Sequence, residues 1–184
     1  SFEVFSLSNY DEWMQKLIHS QKTDPSESVV RKLSDLVLAK IPATLLTHEL
    51  VWIPGRPLEG SHLVESLALE LSKMRKVRLT ANPLCGRKLT SEFKAAQKKM
   101  DQLTRRRRDG NEIFRFRRSL SSKKVVLLDD VCTSGATLLS MRELLRQKCD
   151  VECVAAITIA YTPLRYRLKM KKPDADLASG FLNL

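Results

Sequence analysis

The segment from Val125 to Leu138, VVLLDDVCTSGATL, constrains the fold of this chain more than any other. Its opening aliphatic residues show no polar alternation, which is typical of a strand buried on both faces in a parallel sheet. A helix is predicted to begin at about Ala136, because apolar residues recur there at helical spacing. These residues are Leu138, Met141, Leu144 and Leu145. The order of strand, loop and helix predicts an α/β fold, with a Rossmann-like central parallel sheet flanked by helices.

Two carboxylates, Asp129 and Asp130, stand at the C-terminal end of the predicted strand, where open α/β sheets bind their ligands. Ionised carboxylates only accept hydrogen bonds, so they suit sugar hydroxyls or a hydrated Mg²⁺. We therefore take both as candidate catalytic residues and as candidate Mg²⁺ ligands, with water between them and the metal as one arrangement.

Hydroxyl and glycine residues fill the loop that follows, from Thr133 through Ser134 and Gly135 to Ala136 and Thr137. A helix N-terminus has unpaired N–H groups and partial positive charge, so it suits a phosphate. Gly135 permits close backbone approach because it has no Cβ and adopts positive φ without strain. A phosphate beside a diol is a ribose 5-phosphate, which is the predicted ligand. The simpler alternative is a capped helix after a buried strand, with two solvated carboxylates.

The Val125–Leu138 segment resembles the phosphoribosyl diphosphate (PRPP) binding motif of type I phosphoribosyltransferases. The resemblance implies that Asp129 and Asp130 contact the ribose hydroxyls, directly or through Mg²⁺. It places the residues from Thr133 to Thr137 around the 5-phosphate. It also implies the fold of that family, and a pentosyl transferase that moves phosphoribosyl to a nitrogen nucleophile and releases diphosphate.

The diphosphate is assigned to other parts of the chain. In the family, the loop after the strand that we predict at Glu49–Ile53 holds the diphosphate through backbone amides. Gly55 and Arg56 lie in that loop, and a guanidinium pairs with phosphate in a fork. A surface arginine between prolines has the same sequence appearance, so both interpretations of Arg56 stay open. Arg106 is the third candidate for the diphosphate.

The formal net charge is +11, and much of it lies in residues 94–118, which include the run Arg105–Arg108. One interpretation is a solvated basic loop. A second, from the family, is a flexible catalytic loop that closes over PRPP. A third is a surface for single-stranded DNA, because Lys and Arg clusters release counterions from phosphates on binding. Few aromatic residues interleave with the basic ones, which disfavours a stacking platform.

A longer stretch, from about Leu50 to Tyr161, resembles the ComF-like branch of the family, which is linked to bacterial competence and DNA uptake. The features that carry this resemblance are Val51–Pro54, a helix from about His62 to Arg75, the residues Arg87, Gln97 and Arg106, and Phe114. The chain departs from the branch at Glu59–Leu63, where an Arg-Gly-Phe-Asn-Gln stretch is usual, and it has no four-cysteine zinc module. Two further functions therefore stay open: a sensor of PRPP or nucleotide, and a non-catalytic accessory of DNA uptake that binds single-stranded DNA or a partner.

The rest of the chain predicts its organisation. Residues 1–48 are expected to form a small N-terminal helical or hood segment, residues 49–162 the core and residues 163–184 a tail, together as one compact domain. The first helix is predicted to bury Trp13, Leu17 and Ile18, and the helix after the first core strand to cover the sheet. Its covering residues are predicted to be Leu63, Leu67, Leu69 and Leu71. A homo-oligomer is also possible.

Cysteine use and hydropathy predict a cytoplasmic location. None of the four cysteines forms a Cys-x-x-Cys pair, so a zinc site is not expected and the thiols are expected to be reduced. Cys132 is expected to be a small loop residue. No apolar run approaches the roughly 20 residues that span a bilayer. The first residues lack the basic and apolar regions of a signal peptide.

Overall fold

Strands and helices alternate along the chain in this computed structural model, which describes residues 2–54, 62–75, 84–87, 114–116, 120, 122–162 and 170–171. The elements are β1 (Glu3–Asn9), α1 (Glu12–Gln21), α2 (Glu27–Lys40), a short 3-10 helix (Leu45–Thr47), β2 (Glu49–Trp52), α3 (Leu63–Arg75), β3 (Leu84–Arg87), β4 (Phe114–Phe116), β5 (Lys124–Cys132), α4 (Ala136–Cys149), β6 (Glu152–Tyr161) and β7 (Met170–Lys171). None of the helices within these ranges is long and apolar enough to cross a membrane.

The central sheet has the strand order β2-β5-β6-β1-β7, and each neighbouring pair in it is parallel. The strands β3 and β4 form a separate antiparallel pair, in which Leu84 lies opposite Phe116. The predicted α/β fold with a central parallel sheet is therefore confirmed. The sheet brings the C-terminal ends of β2, β5, β6 and β1 to one edge, because parallel strands all end on the same side.

Both faces of the sheet are covered. Val126 and Leu128 of β5 pack in one core with the inner faces of α1, α2 and α3. Val125 and Leu127 pack in a second core on the other face, with α4. This division confirms that the aliphatic run is a strand buried on both sides. It also fixes the face of the sheet to which each later side chain of β5 points, since successive side chains of a strand alternate between faces.

The strand β1 was not predicted, and it shows that the segment 1–48 begins inside the central sheet. β1 pairs with β6 from Glu3 opposite Ala155 to Asn9 opposite Tyr161. The sequence signal was hidden because Ser6 and Ser8 are polar but buried. Their hydroxyls are satisfied within the sheet region, as Ser6 donates to the Ser8 carbonyl at 3.2 Å. β1 also pairs with β7, which comes from the predicted tail.

The helices α1 and α2 begin at residues whose side chains cap their first turns. Asp11 accepts a hydrogen bond from the Met14 amide at 2.8 Å, and Ser26 accepts one from the Val29 amide at 3.4 Å. Each bond satisfies an amide that has no partner within its own helix.

Two predicted core residues are exposed instead. Trp13 keeps 41 % of its surface exposed and Leu69 keeps 45 %. The buried stripe of α1 passes through Met14 and Ile18, one turn apart, so Trp13 lies beside it. In α3 the stripe passes through Leu67 and Leu71, and a residue midway between them points away. Both predictions relied on the apolar character of the residue and misjudged its position around the helix axis.

Candidate functional site

The acid pair lies at the C-terminal end of β5, in the interior of the sheet between β2 and β6. Asp129 is buried and lies opposite Thr158 of β6 in the register. Asp130 is partly exposed. The strand β2 ends beside the pair, since the Ile53 amide donates to the Leu128 carbonyl at 2.8 Å. The structure therefore places both carboxylates at the C-terminal edge of the sheet, where open α/β sheets usually bind their ligands.

Each carboxylate of the pair is held by the backbone amide of the next residue. The Asp130 amide donates to Asp129 Oδ1 at 2.9 Å, and the Val131 amide donates to Asp130 Oδ1 at 2.7 Å. Bonds from an amide to an ionised carboxylate are stronger than neutral ones. They fix the orientation of the two side chains before any ligand arrives.

A lysine that the sequence analysis missed completes this cluster. Lys22, the residue at the C-terminal end of α1, places its Nζ 3.5 Å from Asp130 Oδ2. Its backbone carbonyl accepts a hydrogen bond from the His62 amide at 2.7 Å, just before α3 begins. No local pattern links Lys22 with the motif, because only the folded chain brings the two segments together.

The loop after β5 turns through Gly135, which has φ 72° and ψ 2° and occupies the N-cap position of α4. This left-handed conformation strains residues with a Cβ, so glycine is favoured here. Gly135 also has no side chain to cap the helix. Ser134 Oγ accepts from the Ala136 amide at 3.4 Å, a long hydrogen bond. The first turn of α4 thus presents amides and positive partial charge to an anion.

The hydroxyls of this loop differ in access. Thr133 is exposed, and Ser134 and Thr137 are partly buried, as is Ala136. Gly135 itself is buried. An anion in the loop would meet backbone amides from the helix start and hydroxyl donors from its rim. The structure therefore brings together all five residues predicted for the 5-phosphate.

Cys132 is the last residue of β5 and not a loop residue, which corrects the sequence analysis. The strand continues past the acid pair because Val131 and Cys132 pair with Ala160 and Tyr161 of β6. Burial and the charge of Asp129 raise the pKa of the Cys132 thiol to about 11, although a hydrogen bond with the Gly135 backbone lowers it. The thiol is therefore protonated at neutral pH and a poor nucleophile.

The acid pair fits a Mg²⁺ ion that is shared with a ligand. Within the described ranges, no group of three or more His, Cys, Asp or Glu residues is placed to hold a metal. Mg²⁺ usually keeps several waters and is bound through one or two carboxylates together with phosphate oxygens of a substrate. Asp129 and Asp130 would supply the carboxylates of such a site, and the phosphate oxygens would come from the ligand.

The residues predicted for the diphosphate, Gly55, Arg56 and Arg106, lie outside the described residues. The same holds for residues 94–113 of the basic segment. Among the described residues, the structure thus brings together the acid pair, the loop from Thr133 to Thr137 and Lys22. Those residues come from two segments far apart in the sequence.

Comparison with known families gives a match over most of the chain. A family described as the phosphoribosyl transferase domain matches residues 59–178. The matched span contains the acid pair and the loop at the start of α4, but not α1 or Lys22. Comparison with curated proteins found no match.

Proposed function

This chain belongs to the phosphoribosyltransferase family, and we propose that it binds PRPP with Mg²⁺ at the C-terminal end of β5. One observation supports this most directly. The fixed carboxylates of Asp129 and Asp130 are followed by a loop whose glycine has positive φ and, as the N-cap residue of α4, supplies no side-chain cap. The site therefore offers acceptors for a diol next to donors for a phosphate.

The 5-phosphate is assigned to the loop from Thr133 to Thr137. The amides at the start of α4 point along the helix axis toward the loop, where the helix carries its partial positive charge. Gly135 allows a phosphate oxygen to approach the backbone without meeting a Cβ. The hydroxyls of Thr133 and Ser134 are accessible enough to donate further hydrogen bonds.

The ribose is assigned to the acid pair. Oxygens of Asp129 and Asp130 would accept hydrogen bonds from the two ring hydroxyls, directly or through water on Mg²⁺. Because the backbone already orients both carboxylates, little side-chain entropy is lost when the sugar binds. When bound, Mg²⁺ would offset the negative charge of the diphosphate.

The reaction we infer is transfer of the phosphoribosyl group to a nitrogen nucleophile. The bond from the ribose anomeric carbon to the diphosphate oxygen breaks, its electron pair leaves with the diphosphate, and a carbon–nitrogen bond forms. The sugar gains positive charge as the bond breaks. We assign the stabilisation of that charge to the carboxylates of Asp129 and Asp130, and Gly55, Arg56 and Arg106 are our candidates for the leaving diphosphate.

Calorimetric titration of PRPP, with and without Mg²⁺, tests this proposal, with ribose 5-phosphate and AMP as comparators. We expect binding that strengthens with Mg²⁺ and that is lost in the double variant Asp129→Asn, Asp130→Asn. The matched control is Asp150→Asn, which neutralises an exposed carboxylate outside the site. Normal PRPP binding by the double variant would show that the site is wrongly assigned.

The high positive charge supports a second candidate function, an accessory of DNA uptake in the ComF-like branch. Residues 94–118 hold a dense group of basic residues, including Arg105–Arg108. Replacing Arg105–Arg108 with serine should weaken binding of single-stranded DNA and reduce its salt dependence. If the wild type does not bind DNA at low salt, the form of this function that binds single-stranded DNA is excluded.

A further inference from the structure

We propose that Lys22 is a positioning residue of the site, which competes with a divalent cation for Asp130 and supplies positive charge when the metal is absent. The inference rests on the proposed function, because it concerns the carboxylate assigned to ribose and Mg²⁺. Its basis is the ion pair between Lys22 Nζ and Asp130 Oδ2 at 3.5 Å.

The ion pair is protected from solvent more than a surface pair is. The side chains of Lys22 and Asp130 are 27 % and 20 % exposed, whereas those of the pair Lys16–Glu12 on the same helix are 74 % and 83 % exposed. Salt screens a partly buried pair much less than an exposed one. The contact between Lys22 and Asp130 therefore has more influence on the site than a pair on the helix surface.

The position of Lys22 is fixed by its backbone. Its carbonyl accepts from the His62 amide at 2.7 Å, which ties the end of α1 to the start of α3. The C-terminal end of a helix carries partial negative charge, which favours a cation there. The ammonium is thus directed to Asp130 by the fold and not by the flexible side chain alone.

Both oxygens of Asp130 are engaged in the structure. Oδ1 accepts from the Val131 amide and Oδ2 meets Lys22. A divalent cation that binds Oδ2 must first displace the ammonium, since two cations repel each other at one oxygen. Without the metal, the same ammonium lowers the repulsion between the acid pair and an anionic sugar phosphate. Lys22 should therefore weaken metal binding and strengthen metal-free ligand binding.

The variant Lys22→Gln tests these opposite effects, with Lys16→Gln on the same helix as the matched control. Binding of Mn²⁺ alone, as a probe of the Mg²⁺ site, is measured by electron paramagnetic resonance. PRPP binding without metal is measured by calorimetry. We expect Lys22→Gln to bind Mn²⁺ several-fold more tightly and metal-free PRPP several-fold more weakly. Lys16→Gln should match the wild type in both measurements.

A purely structural role for Lys22 predicts a different result. If the role is only structural, Lys22→Gln weakens the binding of both Mn²⁺ and PRPP, or of neither, and Lys22→Arg does not restore it. In our proposal, Lys22→Arg retains most of the wild-type binding of both. Equal Mn²⁺ binding in the wild type and Lys22→Gln, including none in either, overturns the inference. If Lys22→Gln does not fold, Lys22→Met takes its place.

The two proposals fail in distinguishable ways. A wild type that does not bind PRPP, with or without metal, overturns the proposed function. The Mn²⁺ measurement still tests Lys22 in that case. A wild type that binds PRPP, together with a Lys22→Gln variant of unchanged Mn²⁺ affinity, overturns only the role of Lys22.

Discussion

Thr158 of β6 donates a hydrogen bond of 3.1 Å from its hydroxyl to Ser6 Oγ of β1, across two central strands. On its other side, Thr158 lies opposite Asp129 in the register of β5. A buried polar row thus crosses three neighbouring strands and ends at the acid pair. The row ties the missed strand β1 to the residue on which the proposed site depends.

The variant Thr158→Val should destabilise the protein by about 1 kcal/mol, because it removes the hydroxyl that donates to the buried Ser6 Oγ. Chemical denaturation measures the change. Thr158→Ser keeps the hydroxyl and should lose less stability than Thr158→Val. If Thr158→Val unfolds at the wild-type denaturant concentration, the hydrogen bond contributes nothing.

Substitutions at the two ends of α4 should change the stability of the protein in opposite directions. Gly135→Ala places a Cβ at φ 72°, so it should destabilise by about 1 kcal/mol or more and weaken binding of ribose 5-phosphate. Asp150→Gly removes the Cβ of a non-glycine residue at φ 54° and should raise the melting temperature. The exposed ion pair of Asp150 with Lys123 costs little to lose. Melting temperatures of both variants check these directions, and equal shifts would contradict the argument.

Glu49 at the start of β2 is only 2 % exposed, and neither of its carboxylate oxygens has a hydrogen-bond partner among the described residues. Burying a polar group without a partner is unfavourable. Glu49→Leu should therefore stabilise the protein by about 1 kcal/mol. Glu152 is exposed, so Glu152→Leu is the control and should change the free energy of unfolding little. A loss of stability in Glu49→Leu would show that the carboxylate has a role that we have not identified.

Two buried thiols predict how stability depends on alkaline pH. Burial raises the pKa of Cys132 to about 11 and that of Cys153 to about 12, from 9.0 for each. The folded state therefore holds more protons than the unfolded state above pH 9. Stability should fall as the pH rises from about 9 to these folded values, by up to about 1.4 kcal/mol per pH unit for each thiol.

Denaturation at several pH values between 8 and 11 tests this dependence. The double variant Cys132→Ala, Cys153→Ala should lose less stability over that range than the wild type does. The comparison of slopes removes the contribution of other groups that titrate there. Identical slopes would show that the thiols do not contribute.

The sequence was most informative where the interactions are local. The residues of β5, the loop and α4 are contiguous, so hydrophobic runs and the glycine at position 135 predicted the strand, the turn and the helix start. The acid pair was located because the end of a parallel strand is defined by the strand itself. The cap of α2 by Ser26 is local in the same sense, since its hydroxyl acts within one turn.

Features that depend on distant partners were missed. Lys22 meets Asp130 only after α1 and β5 have packed in one fold, and nothing near Lys22 indicates this. Ser6 and Ser8 reduced the hydrophobic signal of β1, although they are buried in the sheet. Trp13 was misplaced because burial depends on the angle around the helix as well as on hydrophobicity.

The position of β1 has a consequence for how the chain folds during synthesis. Its partner β6 lies about 150 residues later, and Ser6 and Thr158 are separated by 152 positions. Such distant pairing slows folding, because a long loop must close before the contact forms. The ribosome must synthesise almost the whole matched domain before β1 can pair with β6. Until then the apolar side chains of β1 remain exposed and can contact other proteins. We therefore expect chaperones to bind the nascent protein at β1.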